Sequence, residues 1–148
     1  MIALSGCNKK EEQKAGASTA TSSSQVVKKE TTVVVPDFVK GKWKAVRIAV
    51  TEKKSNKEIV YTVPIGSSLA IPNTTLTIKV ESFLPHFTME GTTLTSLTNE
   101  PKNPAALVQI TEGGRDIFKG WLFSLYPTTH AFQHPVYGFA LVDFVPAT

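Results

Sequence analysis

A chain of 148 residues with 41% hydrophobic content has room for one packed core and not two. Its formal charge of +4 is spread thinly, six Lys against four acids in residues 1–40 and ten Lys plus Arg against eight acids in residues 41–148; this excludes the gathered basic face that nucleic-acid binding requires. No run of about eighteen apolar residues occurs, so no stretch is long and apolar enough to cross a membrane as a helix.

The first feature along the chain is its one cysteine, Cys7, which ends the string Leu4-Ser5-Gly6-Cys7. Two small residues ahead of a lone thiol resemble the lipobox of bacterial lipoproteins. The resemblance implies that Cys7 accepts a diacylglyceryl group, that a signal peptidase seats Ser5 and Gly6 in a narrow cleft and cuts before Cys7, and that the freed amine is then acylated. Each buried methylene contributes about 0.8 kcal/mol, so two or three chains hold a protein at a bilayer where one does not. Secretory signals carry a cationic start and about 7–15 apolar residues, and only residues 1–4 precede the small pair. Residues 1–7 are therefore read as the end of such a signal, with the start codon expected upstream. Asn8 in place of Asp after Cys7 favours, by the sorting pattern of enteric lipoproteins, anchorage at the periplasmic side of the outer membrane. A single cysteine also excludes an intramolecular disulfide framework, leaving the domain to its core.

Residues 8–32, NKKEEQKAGASTATSSSQVVKKETT, contain no aromatic residue, no Leu and no Ile. Such a composition does not bury enough apolar surface to offset the entropy of ordering it, so residues 8–35 are expected to form a disordered linker. As a flexible coil it reaches roughly 30 Å, enough to lift the domain of residues 36–148 clear of lipid head groups.

In residues 43–51, Val46, Ile48 and Val50 alternate with Ala45, Arg47 and Ala49, the period of a half-buried strand. Ser55-Asn56 supplies turn chemistry, and Ile59, Tyr61 and Val63 alternate in a return strand. Lys53, Lys54 and Lys57 lie with Glu52 and Glu58 around that turn and read as a solvated hairpin tip. Leu69-Ala70-Ile71 precedes a turn at Pro72-Asn73, and Leu76, Ile78 and Val80 mark the next strand. The passage from residue 87 to Pro101 is Thr- and Ser-rich and shows no regular period, and Pro101 and Pro104 exclude a helix there. Residues 105–111 and 116–125 form strands around Glu112-Gly113-Gly114-Arg115, the strongest hairpin signal in the chain. Tyr137, Phe139 and Leu141 alternate in a final strand ending near Phe144. Without helical periodicity anywhere, the expected fold is all-β, a compact sandwich or partly open barrel of about seven mostly antiparallel strands.

The chain carries no Gly-x-Ser-x-Gly elbow, no phosphate-cradling glycine loop and no haem-attachment Cys-x-x-Cys-His, and no acid or nucleophile accompanies its three histidines. No catalytic residue is assigned, no cofactor is expected, and the protein is not expected to be an enzyme. Trp121 and Phe123, on one face of a strand, read as core. The connection of residues 126–137 is different. It is long, it is bracketed by Pro127 and Pro135, and it carries His130, Phe132 and His134, so recognition is assigned to Tyr126, His130, Phe132 and His134, together with the neighbouring His86-Phe87 segment. These loop residues are expected to serve binding more than stability.

The strings Tyr61-Thr62-Val63-Pro64-Ile65-Gly66, Phe83-Leu84-Pro85-His86-Phe87, Asn99-Glu100-Pro101-Lys102-Asn103-Pro104-Ala105 and Gly120-Trp121-Leu122-Phe123, with Phe132-Gln133-His134 after them, resemble an uncharacterised bacterial family of short lipoproteins over residues 43–144. The resemblance implies an envelope location and carries over no functional residue. Two functions are expected from different classes. One is a membrane-anchored periplasmic binding or adaptor module for an envelope protein or small ligand. The other is an accessory to metal or haem handling, with His86, His130 and His134 as ligands.

Overall fold

The computed structural model describes residues 31–129 and 132–148. These fall into two units: one holds Thr31, Thr32 and Gly91–Thr93, where the Thr32 N–H donates to the Thr92 carbonyl (2.9 Å), and the other holds Val33–Glu90 and Leu94–Thr148. Ten strands and no helix occur among the described residues: β1 (Thr32–Val33), β2 (Trp43–Glu52), β3 (Lys57–Pro64), β4 (Ser68–Ala70), β5 (Leu76–Leu84), β6 (Phe87–Glu90), β7 (Thr93–Ser96), β8 (Ala105–Glu112), β9 (Arg115–Phe123) and β10 (Tyr137–Pro146). Six of them are the strands named from the sequence, and β4 is the stretch before the turn at Pro72-Asn73. The other three, β1, β7 and β6 in that order, make a small third sheet from polar strands in which Leu94 is the one buried apolar residue of β7. Thr32 and Val33, at the end of the segment expected as linker, are thus strand, and the rest of that segment up to residue 30 lies outside the described residues.

The other sheets run β9-β8-β5-β4 and β10-β2-β3, antiparallel at every pairing between them, and neither closes into a barrel. Val46, Ile48 and Val50 of one sheet and Ile78, Val108 and Ile110 of the other are buried in a single cluster, so the unit is a two-sheet sandwich around one core. The hairpins form where the turn residues allow. Gly113 and Gly114 both have positive φ (59° and 84°), as a two-residue hairpin loop needs, and Asn56 (φ 59°) and Asn73 (φ 63°) take the left-handed conformation at the other two turns.

Four register shifts reset the side-chain phase; one, between Val145↔Ala45 and Pro146↔Trp43, leaves Lys44 without a partner in β10 and turns Trp43 to the core side. In β5 the pairing passes from Val80↔Val108 to Ser82↔Leu107, leaving Glu81 unpaired, so the core face shifts from Leu76, Ile78 and Val80 to Phe83. In β10 it passes from Leu141↔Ile48 to Asp143↔Arg47, leaving Val142 outside and turning Phe144 to the core side. The two rings so delivered stack on each other (5.5 Å between centroids, 25°), and Trp43 sets an edge against both at 5.3 and 5.7 Å while its Nε1–H donates to Asn99 Oδ1 at 2.7 Å. The remaining shift, at Ile117 in β9, brings both Ile117 and Phe118 against the core. Phe118 lies over Gly120, where a Cβ would come within 2.8 Å of its ring.

Candidate functional site

Of the residues expected to bind, Cys7 and His130 lie outside the described residues. Phe132 and His134 do come together, with ring centroids 5.8 Å apart, but they turn toward the core rather than outward. Phe132 stacks on Phe118 at 4.7 Å and leans on Phe139 at 5.7 Å. His134 is only 6% exposed. Its Nδ1 accepts the backbone N–H groups of Val136 (3.0 Å) and Tyr137 (3.2 Å), which places the ring hydrogen on Nε2, facing Glu112 Oε1 at 3.6 Å. Lys53 at the end of β2 donates from Nζ to the His134 carbonyl (2.7 Å) and from its backbone N–H to Val136 (2.9 Å). The imidazole therefore turns the chain into β10 and sets its Nε2 against the end of β8, while Lys53, just past β2, holds the backbone carbonyls of the same turn. The histidine does the work of an Asx turn, with a ring nitrogen as the acceptor.

His86 sits elsewhere, bridged to Asn103. Its N–H donates to Ser96 Oγ (2.8 Å), its carbonyl accepts the Leu97 N–H (2.9 Å) and its Nδ1 lies 3.1 Å from Thr98 Oγ1. Asn103 Nδ2 donates to the Phe87 carbonyl (3.1 Å) and fixes the start of β6, while its buried Oδ1 has no partner among the described residues. Those residues contain no group of three His, Cys, Asp or Glu side chains able to hold a metal ion.

What β6 positions is Phe87. Its ring meets Trp121 at 5.1 Å and Phe123 at 5.0 Å, edge-on to both. The core residue of this stretch of β9 is Leu122, so Trp121 and Phe123 stand on the opposite face of the sheet, which corrects the expectation that they are core. The alternation Trp121-Leu122-Phe123 is the same whichever face is inward. The bulge at Ile117 decides it. The three rings form a half-buried platform outside the sandwich. Met89 follows Phe87 on the same face of β6, and Leu125 and Tyr126 leave the end of β9, where the Tyr126 N–H reaches the Phe123 carbonyl (3.3 Å); these three are 58%, 56% and 55% exposed. Phe87 and Tyr126 were thus legible as candidates, whereas Met89, Trp121, Phe123 and Leu125 required the register.

The chain belongs to a family described as an uncharacterized protein conserved in bacteria (DUF2155), matched over residues 45–143. No curated protein and no solved structure matches it.

Proposed function

We propose that this protein is a lipid-anchored, non-catalytic binding module of the bacterial envelope, held at the periplasmic face of a membrane through Cys7, and that it takes a protein partner on the platform of Phe87, Trp121 and Phe123. The observation that carries the reading is the aromatic surface itself: three interlocked rings on the face of the sheet away from the core, flanked by exposed Met89, Leu125 and Tyr126. Trp and Tyr anchors of this kind give most of the energy of protein interfaces, because each buries a large area at little conformational cost. The surface is built from strands and its flanking apolar side chains Met89, Leu125 and Tyr126 stand in solvent, which suits a protein partner.

The anchor is tested first. In a bacterial host expressing the full-length gene, Cys7 incorporates labelled fatty acid, and Cys7→Ser moves the protein from membranes to the soluble fraction. A wild-type protein that is soluble and free of lipid overturns the anchor and leaves the platform untouched.

The platform is tested by a photo-cross-linking amino acid placed at Tyr126 of the full chain. One discrete protein adduct is expected, and Trp121→Ala lowers its yield by roughly thirtyfold, as loss of a hot spot of about 2 kcal/mol does. The same cross-linker at Lys54, on the far hairpin, yields none. Equal adducts from both positions, or a yield indifferent to Trp121→Ala, dismiss the platform.

A further inference from the structure

We propose that two copies of this chain pair through strand β3, antiparallel about a two-fold axis at Val60, so that their β10-β2-β3 sheets join into one. The inference rests on neither the anchor nor the aromatic platform.

β3 is the last strand of its sheet. The phase of its ladder follows from one bond, Ile65 N–H to the Lys44 carbonyl at 3.0 Å, which continues the pairing Ala45↔Pro64 and Val46↔Val63. Backbone groups along an antiparallel strand alternate between its two neighbours, so Lys57, Ile59, Tyr61 and Val63 address β2, while Glu58, Val60 and Thr62 turn their N–H and C=O groups outward. Among the described residues nothing pairs with these three. The edge is also unguarded in composition. Ile59-Val60-Tyr61-Thr62-Val63 holds five β-branched or aromatic residues in a row with no charge, and Ile59 and Val60, on opposite faces, are 46% and 48% exposed.

A second copy fits this edge better than an arbitrary strand, because the edge complements itself. With the axis at Val60, the two Val60 residues meet, each Ile59 opposes the partner's Tyr61, and each Glu58 opposes the partner's Thr62. Thr62 has Arg47 beside it: the guanidinium Nε donates to Thr62 Oγ1 at 3.3 Å and Nη1 to Asp143 Oδ2 at 3.0 Å, and the side chain is 44% exposed. Each Glu58 carboxylate therefore lands at the partner's Arg47, twice by symmetry, and the Ile59–Tyr61 contacts are β-branched–aromatic pairs of the stabilising kind. An axis at Glu58 sets two carboxylates face to face, and one at Thr62 brings Pro64, which has no N–H, into the ladder.

Sedimentation of the full chain between about 1 and 100 μM is expected to show a monomer–dimer equilibrium. Val60→Lys puts two ammonium groups at the axis and weakens the dimer at least roughly tenfold, while its circular dichroism stays of wild-type β form because Val60 is half-exposed in the monomer. In a Cys7→Ser background, Val60→Cys forms a disulfide-linked dimer on mild oxidation, since residues directly opposed in a hydrogen-bonded pair lie about 5.5 Å apart at Cα. Lys54→Cys does not. If Val60→Lys fails to fold, the cross-link decides. A chain that stays monomeric with no cross-link through Val60→Cys, or a dimer indifferent to Val60→Lys, overturns the proposal and gives the edge to a strand from another protein or to none.

Discussion

His134→Ala is expected to lower the stability of the domain by about 2–4 kcal/mol, seen as a fall of roughly 8–16 °C in the midpoint of thermal unfolding. The residue lies in a connection between strands, where a substitution ordinarily costs less than about 1 kcal/mol. The difference comes from what its ring nitrogen does. Nδ1 is the acceptor for two backbone donors, those of Val136 and Tyr137, and alanine leaves both without a partner beside a side chain only 6% exposed. The ring also packs against Phe132 and Tyr137, so a cavity adds to the loss. His134→Asn separates the two contributions, because the asparagine Oδ1 occupies nearly the place of Nδ1 and accepts the same two hydrogen bonds. It is expected to recover most of the loss and to stand within about 1 kcal/mol of the wild type. An alanine variant that melts with the wild type would remove the structural role, and an asparagine variant as unstable as alanine would assign the effect to the ring and not to its acceptor.

How much of this was legible in the sequence depends on which residues carried the signal. The Gly113-Gly114 hairpin and the turn at Ser55-Asn56 were legible because positive φ restricts the residue types that fit. The apolar periods of β2, β5 and β10 were legible up to the bulges at Glu81 and Val142 and not beyond them. An inserted residue is invisible in a period-2 pattern until the partner strand shows which position goes unpaired. The third sheet was missed because β6 and β7 have only four residues each and bury little apolar surface, so nothing in Thr93-Leu94-Thr95-Ser96 marks it as strand rather than loop. The candidate site divided along the same line. Composition pointed to Phe87, Tyr126, Phe132 and His134 as notable, but whether a side chain faces solvent or core is a matter of register. That placed Phe132 and His134 against the core cluster, and Trp121 and Phe123 on the opposite face of their sheet, half-buried beside Phe87.

The hairpin of β2 and β3 offers the sharpest test of that distinction, since alternation alone treats Ile48 and Ile59 as equivalent inward residues. Ile48 is fully buried, on the central strand of its sheet, paired with Tyr61 on one side and Leu141 on the other and packed in the common core. Ile48→Ala removes buried methylenes from a place with strands on both sides that do not collapse to fill it. It is expected to cost about 3–5 kcal/mol, a large part of the roughly 5–15 kcal/mol that holds a small domain together. Ile59 lies on the edge strand at the rim of a cleft of about 200 Å³ lined also by Tyr61, Ile71 and Tyr137, and nearly half of it is already in water. Ile59→Ala is therefore expected to cost less than about 1 kcal/mol. Both are measured by urea unfolding in a common Val60→Lys background, so that edge pairing between copies does not add to the second value. Equal losses for the two isoleucines would mean that β3 is packed as deeply as β2. The cleft at that rim of the sandwich would then be closed over Ile59.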